Sequence, residues 1–383
     1  MKPEVYHVRK ETMTIKKDKE IHSRDVSKAP NRLSNVVYFS KLKKGQNRLD
    51  CFKSLLGKIE TYIHDFKQDS FVGIKMTIGD KKNKGHIKPE FVRVLVKNLK
   101  KQGAKPFVFD TNVIYKGERQ NAVDHLNLAH NKGFTIDNLG CPFIVAGGVF
   151  GADSKVIKVD FKNIKEIRVP SLVGILEDLI VLTHVTGHMM SGYAGSIKNV
   201  GMGMASRAGK QVQHSSLKPV INVENCTMCG CCIEICPVSA ISDASGKAFI
   251  NSRICVGCGE CIAACKFDAI NINWHEDVTV FAERMAEYAS GILLQIKQKI
   301  FINFAFDITE ECDCLAGDDP KITKDAGIFA SRDILAVDKA CFDVLTANKD
   351  IFARKKKKGP YLHQFKYAEK IGLGRLDYKL VEV

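Results

Sequence analysis

Long apolar runs are missing from this chain. No stretch of 18 apolar residues occurs in its 383 residues, and the best candidate, VPSLVGILEDLIVLTHV (169–185), is broken by Glu177 and Asp178. A transmembrane helix is therefore not expected. An amino-terminal targeting signal is also lacking: the first 30 residues carry charge and no apolar core, so the chain is expected to be cytoplasmic. There is no P-loop, no GxGxxG in the register a dinucleotide needs and no recognisable flavin motif. Aromatic residues are not interleaved with the lysines, so the stacking platform of single-strand binders is absent. Nucleic acid is accordingly disfavoured as a partner, despite a net charge of +15 from 58 basic and 43 acidic residues. Much of that charge sits in the first 20 residues, in KKNKGHIK (81–88) and in RKKKKG (354–359), which read as solvated faces and loops.

What is present is alternation. VVYFS (36–40) reads as a strand and LDCFKSLLGKIETYI (49–63) as a helix. FVGIKMTIG (71–79) reads as a buried strand. Pro89 opens a helix that Gly103 closes. PFVFDTN (106–112) is a strand and AVDHLNLAHNKG (122–133) a helix. IKEIRV (164–169) and DLIVLTHV (178–185) are strands. After residue 273 the pattern resumes, with a helix over 277–296, a strand over 299–309, DAGIFAS (325–331) as a strand and a helix over 333–347. Such alternation predicts an α/β fold, a largely parallel sheet flanked by helices. The expected organisation is a polar segment over 1–35, an α/β domain in two parts (36–218 and 274–383), and a small inserted α+β module over 219–273.

The module is where the cysteines gather. Cys226, Cys229, Cys232 and Cys236 form C-x2-C-x2-C-x3-C, and Cys255, Cys258, Cys261 and Cys265 repeat it 29 residues later. The flanks repeat too, IEICPVSAI against IAACKFDAI. This internal duplication resembles the bacterial two-cluster ferredoxin. In that arrangement three close thiolates wrap three corners of a cubane, and the fourth cysteine of each run reaches the other cluster. Two [4Fe–4S] clusters are thus expected, one on Cys226, Cys229, Cys232 and Cys265, the other on Cys255, Cys258, Cys261 and Cys236. Gly230, Gly257 and Gly259 let the backbone bend toward the sulfurs. A zinc site fits eight cysteines in this duplicated register far less well. Cys231 reads as a spectator. Lys266 stands where proline commonly follows the fourth cysteine.

The remaining motifs resemble the domain-of-unknown-function family 362, here with an embedded two-cluster ferredoxin. They are FVGIKMTIGD with PFVFDTN, the stretch HVTGHMMSGYAGSIKNVGMGMASRAGKQVQHSSLKP (184–219), and INFAFDITEECDC with DAGIFASRDILAVDKAC. The resemblance spans roughly residues 35–370. It implies an iron–sulfur protein and supplies no substrate.

Polar residues fall where strands should end, which is where parallel α/β sheets bind ligands. Lys75, Asp110, Asn112, His184, Lys198 and Asn199 form a candidate substrate or anion site. The glycine-rich run beside Lys198, Arg207 and Lys210 could cradle an anion or pack tightly against the module. Cys312, Cys314 and His188 are candidate catalytic residues. The acids of ECDCLAGDD (311–319) should raise the thiol pKa values, which favours binding of an additional metal, with Asp313, Asp318 or Asp319 contributing, over nucleophilic attack. The expected function is a redox protein whose module passes single electrons to or from a small-molecule substrate or metal site in the α/β domain. A non-enzymatic carrier between redox enzymes, acting through a partner protein, is the alternative.

Overall fold

The protein is described by a computed structural model covering residues 35–383, except 116, 215–217, 237, 256–260, 262, 263, 266, 268, 273–277, 315–318 and 354–360. The expected polar amino-terminal segment and RKKKKG lie outside these residues.

The first half opens with β1 (Val36–Lys41), α1 (Arg48–Lys58), α2 (Glu60–His64), β2 (Phe71–Lys75), α3 (Pro89–Lys101) and β3 (Lys105–Thr111). It continues through α4 (Ala122–Asn131), α5 (Ile136–Leu139), β4 (Phe143–Ala146), β5 (Lys155–Lys158), β6 (Glu166–Val169) and β7 (Asp178–His184). Local chemistry explains the boundaries. Pro89 occupies the first turn of α3, whose Phe91, Val92, Leu95, Val96 and Leu99 are buried, and Gly103 follows in the left-handed region. Asn121 caps α4 by accepting from the Asp124 amide. All seven residues of β7 are buried, as expected of a strand covered on both faces.

Next come β8 (Thr186–His188), β9 (Gly192–Ala194), α6 (Ser196–Gly201), α7 (Arg207–Gln213), β10 (Pro219–Ile221), α8 (Cys231–Glu234), β11 (Ile241–Ala244), β12 (Lys247–Ile250) and β13 (Ile270–Ile272). The chain closes with α9 (Val278–Leu293), β14 (Gln298–Ala305), β15 (Gly327–Ser331), α10 (Ile334–Thr346), α11 (Tyr361–Lys370) and β16 (Lys379–Glu382). No helix among the described residues is long and apolar enough to cross a membrane.

One eight-stranded sheet organises the fold, in the order β16-β1-β15-β14-β7-β2-β3-β4. β14, β7, β2, β3 and β4 pair in parallel. β1 and β16 are parallel to each other, and β15 runs antiparallel to both its neighbours. The fold is α/β with a mixed, mostly parallel sheet flanked by helices. One face packs Phe52, Phe91 and Leu95 of α1 and α3 against Ile180, Ile302 and Ile328. The other packs α6, α9, α10 and α11 against Val181, Phe301 and Phe329. From β2 the chain moves outward to β3 and β4; from β7 it moves the opposite way to β14. The carboxyl ends of β2 and β7 therefore border a topological switch point.

Three expectations change. IKEIRV forms β6 but pairs with β5 outside the main sheet. FVGIKMTIG is a strand only as far as Lys75; beyond it the chain turns to give polar groups to the sheet's end. The run GYAGSIKNVGMGMASRAGK folds as β9, α6 and α7, and its glycines serve packing. A Cβ on Gly201 would stand 2.3 Å from the Met285 carbonyl oxygen of α9, and one on Gly209 would stand 2.2 Å from that of Arg168. The tight packing is thus against α9 and β6, where the cysteine region was expected. Gly201→Ala should lower stability by about 1–3 kcal/mol, the range for overpacking. Gly57→Ala, in α1 with open space around it, should raise it by about 0.5–1 kcal/mol. Urea midpoints of the two variants check both signs.

Candidate functional site: a cavity at the sheet's carboxyl edge and a four-thiol pocket

A cavity of about 450 Å³ opens at the carboxyl ends of β2, β3 and β7 and is closed by the segment after β14. Lys75, Asp110, His184, His188, Lys198, Asn199, Cys312 and Cys314 all line it. Asn112 does not: its amide donates to the Gln120 and Gly148 carbonyls at 3.3 and 3.4 Å and holds a turn.

Lys75 is the centre of one network. Its Nζ lies 3.0 Å from Asp110 Oδ1 and donates to Asn199 Oδ1 at 2.9 Å and to the Met76 carbonyl. Burial lowers its pKa against the pull of Asp110. Burial alone would raise the Asp110 carboxyl, but Lys75, His125 and Arg119 hold it below its usual range. Asn199 Nδ2 fixes α6 to β7 by donating to the Leu182 carbonyl (2.9 Å) and Thr183 Oγ1 (3.0 Å). Lys210, from α7, donates to Thr111 Oγ1 and the Ala205 carbonyl. Burial first, then the nearby Lys75 and Arg119 charges, bring its pKa down to about 7.

His184 ends β7 and is buried against Asp313. Its Nδ1 is 2.9 Å from Asp313 Oδ2 and its Nε2 is 2.7 Å from the Phe306 carbonyl oxygen. Both neighbours only accept, so both ring nitrogens carry hydrogen and the ring is a cation. Burial opposes that charge; Asp313 outweighs it and raises the pKa. Asp313 also accepts from Asn83 Nδ2 at 3.0 Å, and its carbonyl accepts from the Asp80 amide. This anchors the loop that carries the two thiols.

That geometry corrects the reading of ECDC. Asp313 turns its carboxylate to His184 and Asn83, so it is not a third donor beside the sulfurs. Asp318 lies outside the described residues. The thiols do not both rise. Cys314 is held well below the usual thiol range, first by a hydrogen bond from Cys312, then by Lys198 and Arg119. Cys312, which keeps the shared proton, is pushed up by that same bond and by burial. Lys198 Nζ is 4.0 Å from Cys314 Sγ, and the two sulfurs raise its pKa against burial. His188 lies in β8, beyond the end of β7. Its Nδ1 accepts from the Ser191 amide at 3.1 Å, and its ring stacks on Phe281.

Two lining residues, Tyr115 and Arg119, escaped the sequence reading. Arg119 donates to Thr77 Oγ1 (2.7 Å), Tyr115 Oη (2.5 Å) and Asp110 Oδ2 (3.4 Å), and Tyr115 lines the same cavity as Cys314. They follow β3 in a segment without periodicity; a lone buried arginine there was the available signal.

The cysteine region builds a separate pocket. β10 pairs with β13 and β11 with β12, both antiparallel, around Cys226, Cys232, Ile241, Ala248, Cys261 and Ile270. A small cavity is lined by Cys226, Cys229, Cys232 and Cys265, with Met228, Phe267 and Ile270 as apolar wall. Cys265 comes from the second run and meets three thiols of the first. Burial, with the other three sulfurs, raises the Cys232 thiol. Backbone amides point at sulfur: Ala248 to Cys226 (3.4 Å), Ala240 to Cys236 (3.2 Å) and Ala269 to Cys265 (3.3 Å). The last two repeat the same i+4 geometry in each run. Among the described residues no three His, Cys, Asp or Glu converge as a site for a metal ion. Cys258, Gly257, Gly259 and Lys266 lie outside the described residues. Cys231 does not line the pocket.

Fold and cavity together define an α/β protein with a ligand-sized crevice at a topological switch point. The chain belongs to the family described as "Domain of unknown function (DUF362)", whose model matches residues 72–343. No curated protein matches it. Among solved structures it is similar to the lactate racemase apoprotein from Thermoanaerobacterium thermosaccharolyticum, at 12% identity and a TM-score of 0.41, over 81% of this chain and 57% of that one. It is also similar to a protein from Thermotoga maritima solved by structural genomics, at 13% identity and 0.40, over 76% and 58%. The chain spans less than two thirds of either.

Proposed function

We propose that this chain is an iron–sulfur redox enzyme. Its cysteine module carries two [4Fe–4S] clusters and exchanges single electrons with a small molecule held in the α/β cavity. The observation that carries this reading is the crossed thiol set, with Cys265 in one pocket with Cys226, Cys229 and Cys232. A ferredoxin duplication requires that crossing; two independent zinc knuckles do not. Cubane sulfurs also stand farther apart than ligands of a single ion, and thiols lining a pocket suit the larger group. The amides aimed at Cys226, Cys236 and Cys265 are the donors that stabilise sulfur charge around such clusters. When bound, each cluster supplies one electron at a time. The chain's own part is to hold eight thiolates, exclude water with Met228 and Phe267, and offer a cavity whose size suits a small molecule.

The test is anaerobic purification with iron and sulfide analysis, followed by reductive titration in the absence and presence of candidate two-electron acceptors. About eight irons and eight sulfides per chain are expected, with reoxidation on adding an acceptor that wild type turns over and Lys75→Met does not. A folded chain loaded with zinc and free of sulfide would overturn the reading. Eight irons with no acceptor reoxidised would leave a carrier between redox enzymes.

A further inference from the structure

The loop after β14 sets two sulfurs, Cys312 and Cys314, one residue apart on the cavity wall. Both are free thiols. Both line the same cavity wall, while the Asp313 carboxylate between them turns to His184 and Asn83. Residues two apart in a turn bring their Cα atoms within the span of roughly 4.4–6.8 Å that a disulfide needs. The Lys198 ammonium of α6 donates to Cys314 at 4.0 Å, and the Cys312 thiol and the Tyr115 hydroxyl, itself fixed by Arg119, line the same cavity wall. A sulfur so surrounded is built to be an anion. Cys314 is the more exposed of the two sulfurs, and Cys312 is buried.

We propose that Cys312 and Cys314 form a redox-active dithiol that reduces a low-molecular-weight disulfide bound in the cavity, Cys314 attacking and Cys312 resolving. The Cys314 thiolate attacks one sulfur of the bound disulfide. That disulfide's S–S bond breaks, a mixed disulfide forms on Cys314, and the departing thiolate takes the proton Cys312 held. Cys312, now a thiolate, attacks Cys314 Sγ and expels the second thiolate. The protein pair has lost two electrons and one proton, and the small disulfide has become one thiol and one thiolate. Two electrons and one proton restore the pair. Their delivery by the cysteine module rests on the function proposed above; the dithiol chemistry does not.

Charged and titratable groups face Cys314 from every side: Cys312 and Asp313 on its own loop, Lys75 of β2, Tyr115 and Arg119 after β3, Lys198 of α6 and Lys210 of α7. Of these, Lys198 and Arg119 carry the positive charge that favours the thiolate at neutral pH.

The experiment uses the full chain purified without oxygen, with glutathione disulfide as probe, maleimide blocking and peptide mass spectrometry. Cleavage at Lys299 and Lys321 releases residues 300–321, whose only cysteines are Cys312 and Cys314. In wild type this peptide should lose 2 Da (about two hydrogens, the mark of one disulfide) and take up no maleimide; dithiothreitol should reverse both. Cys312→Ser should stop with one glutathione on Cys314. Cys314→Ser should form neither product. Lys198→Met should move the pH profile of iodoacetamide alkylation of Cys314 upward by about one pH unit, the effect of about one pKa unit. Two free thiols after treatment, or equal glutathione uptake by both serine variants, would overturn the proposal. Iron and sulfide measured on the same samples judge the cluster reading separately: disulfide formation in an iron-free chain sinks that reading and leaves this one standing.

Discussion

On the proposed two-cluster reading, Cys265→Ser should remove about half of the iron, taking the chain from about eight irons to about four. Cys265 belongs by sequence to the second cysteine run, yet it lines the pocket with Cys226, Cys229 and Cys232. A serine there keeps the volume and the Ala269 amide but removes the thiolate from one corner. Of the described residues lining that pocket besides the four cysteines, Thr227 alone carries a side-chain oxygen, a neutral hydroxyl that does not replace a thiolate. By the same logic Cys236→Ser removes the other half. Cys231→Ser is the control. It sits beside the ligands in sequence, but its sulfur points to the Cys229 carbonyl at 4.0 Å and does not line the pocket, so iron should stay at the wild-type level. Iron and sulfide per chain, with the visible absorbance of the clusters, read all three. Equal losses in Cys265→Ser and Cys231→Ser would mean that the crossed set is wrong.

The second large effect is on stability. Asp313→Ala should cost about 3–5 kcal/mol, the range for removing one partner of a buried ion pair. The substitution strands the His184 cation in the interior, with only the Phe306 carbonyl left to accept from it, and frees Asn83 from its only side-chain acceptor on that loop. His184→Ala should cost a similar amount. The double variant should fall well short of the sum, because each single change already breaks the pair. The pair also sets a pH window. His184 is raised above 6.5 in the folded chain, so its contribution is complete below about pH 6.5 and is lost as pH rises through the raised value. Asp313 is held below 3.8, so its contribution is complete above about pH 3.8 and is lost as pH falls through the lowered value. The pair therefore stabilises in full between those limits. Urea midpoints of wild type should decline from pH 6 to pH 9 more steeply than those of Asp313→Asn. Parallel declines would show that His184 is not charged in the folded chain.

Much of this was written in the chain. The cysteine spacing grouped Cys265 with Cys226, Cys229 and Cys232, and these four line one small pocket. Hydrophobic period located β1, β2, β3, β7, α3, α4, α9 and α10, because a sheet covered on both faces demands unbroken apolar strands and its helices a single apolar stripe. The carboxyl-edge residues Lys75, Asp110 and His184 followed from where those strands had to stop, as did Asn112, which holds a turn outside the cavity; Lys198 and Asn199 came from the glycine-rich run that forms α6.

Tertiary structure decided the rest. Strand direction is not a local property, so nothing in GIFAS marked β15 as the strand that opposes its neighbours. The glycines between 195 and 209 carry the same letters whether they cradle an anion or admit a helix; only the fold brings the Met285 and Arg168 carbonyls, distant in the chain, against Gly201 and Gly209. The thiols of ECDC were misread for the same reason. Their nearest neighbours in sequence are acids, but charge acts through space. Folding turns Asp313 away to His184 and brings Lys198, Tyr115 and Arg119 against Cys314 in its place. The sequence placed Lys75, Asp110 and His184 at the sheet's edge, and the three-dimensional arrangement added Tyr115 and Arg119 and decided which charges each of them would face.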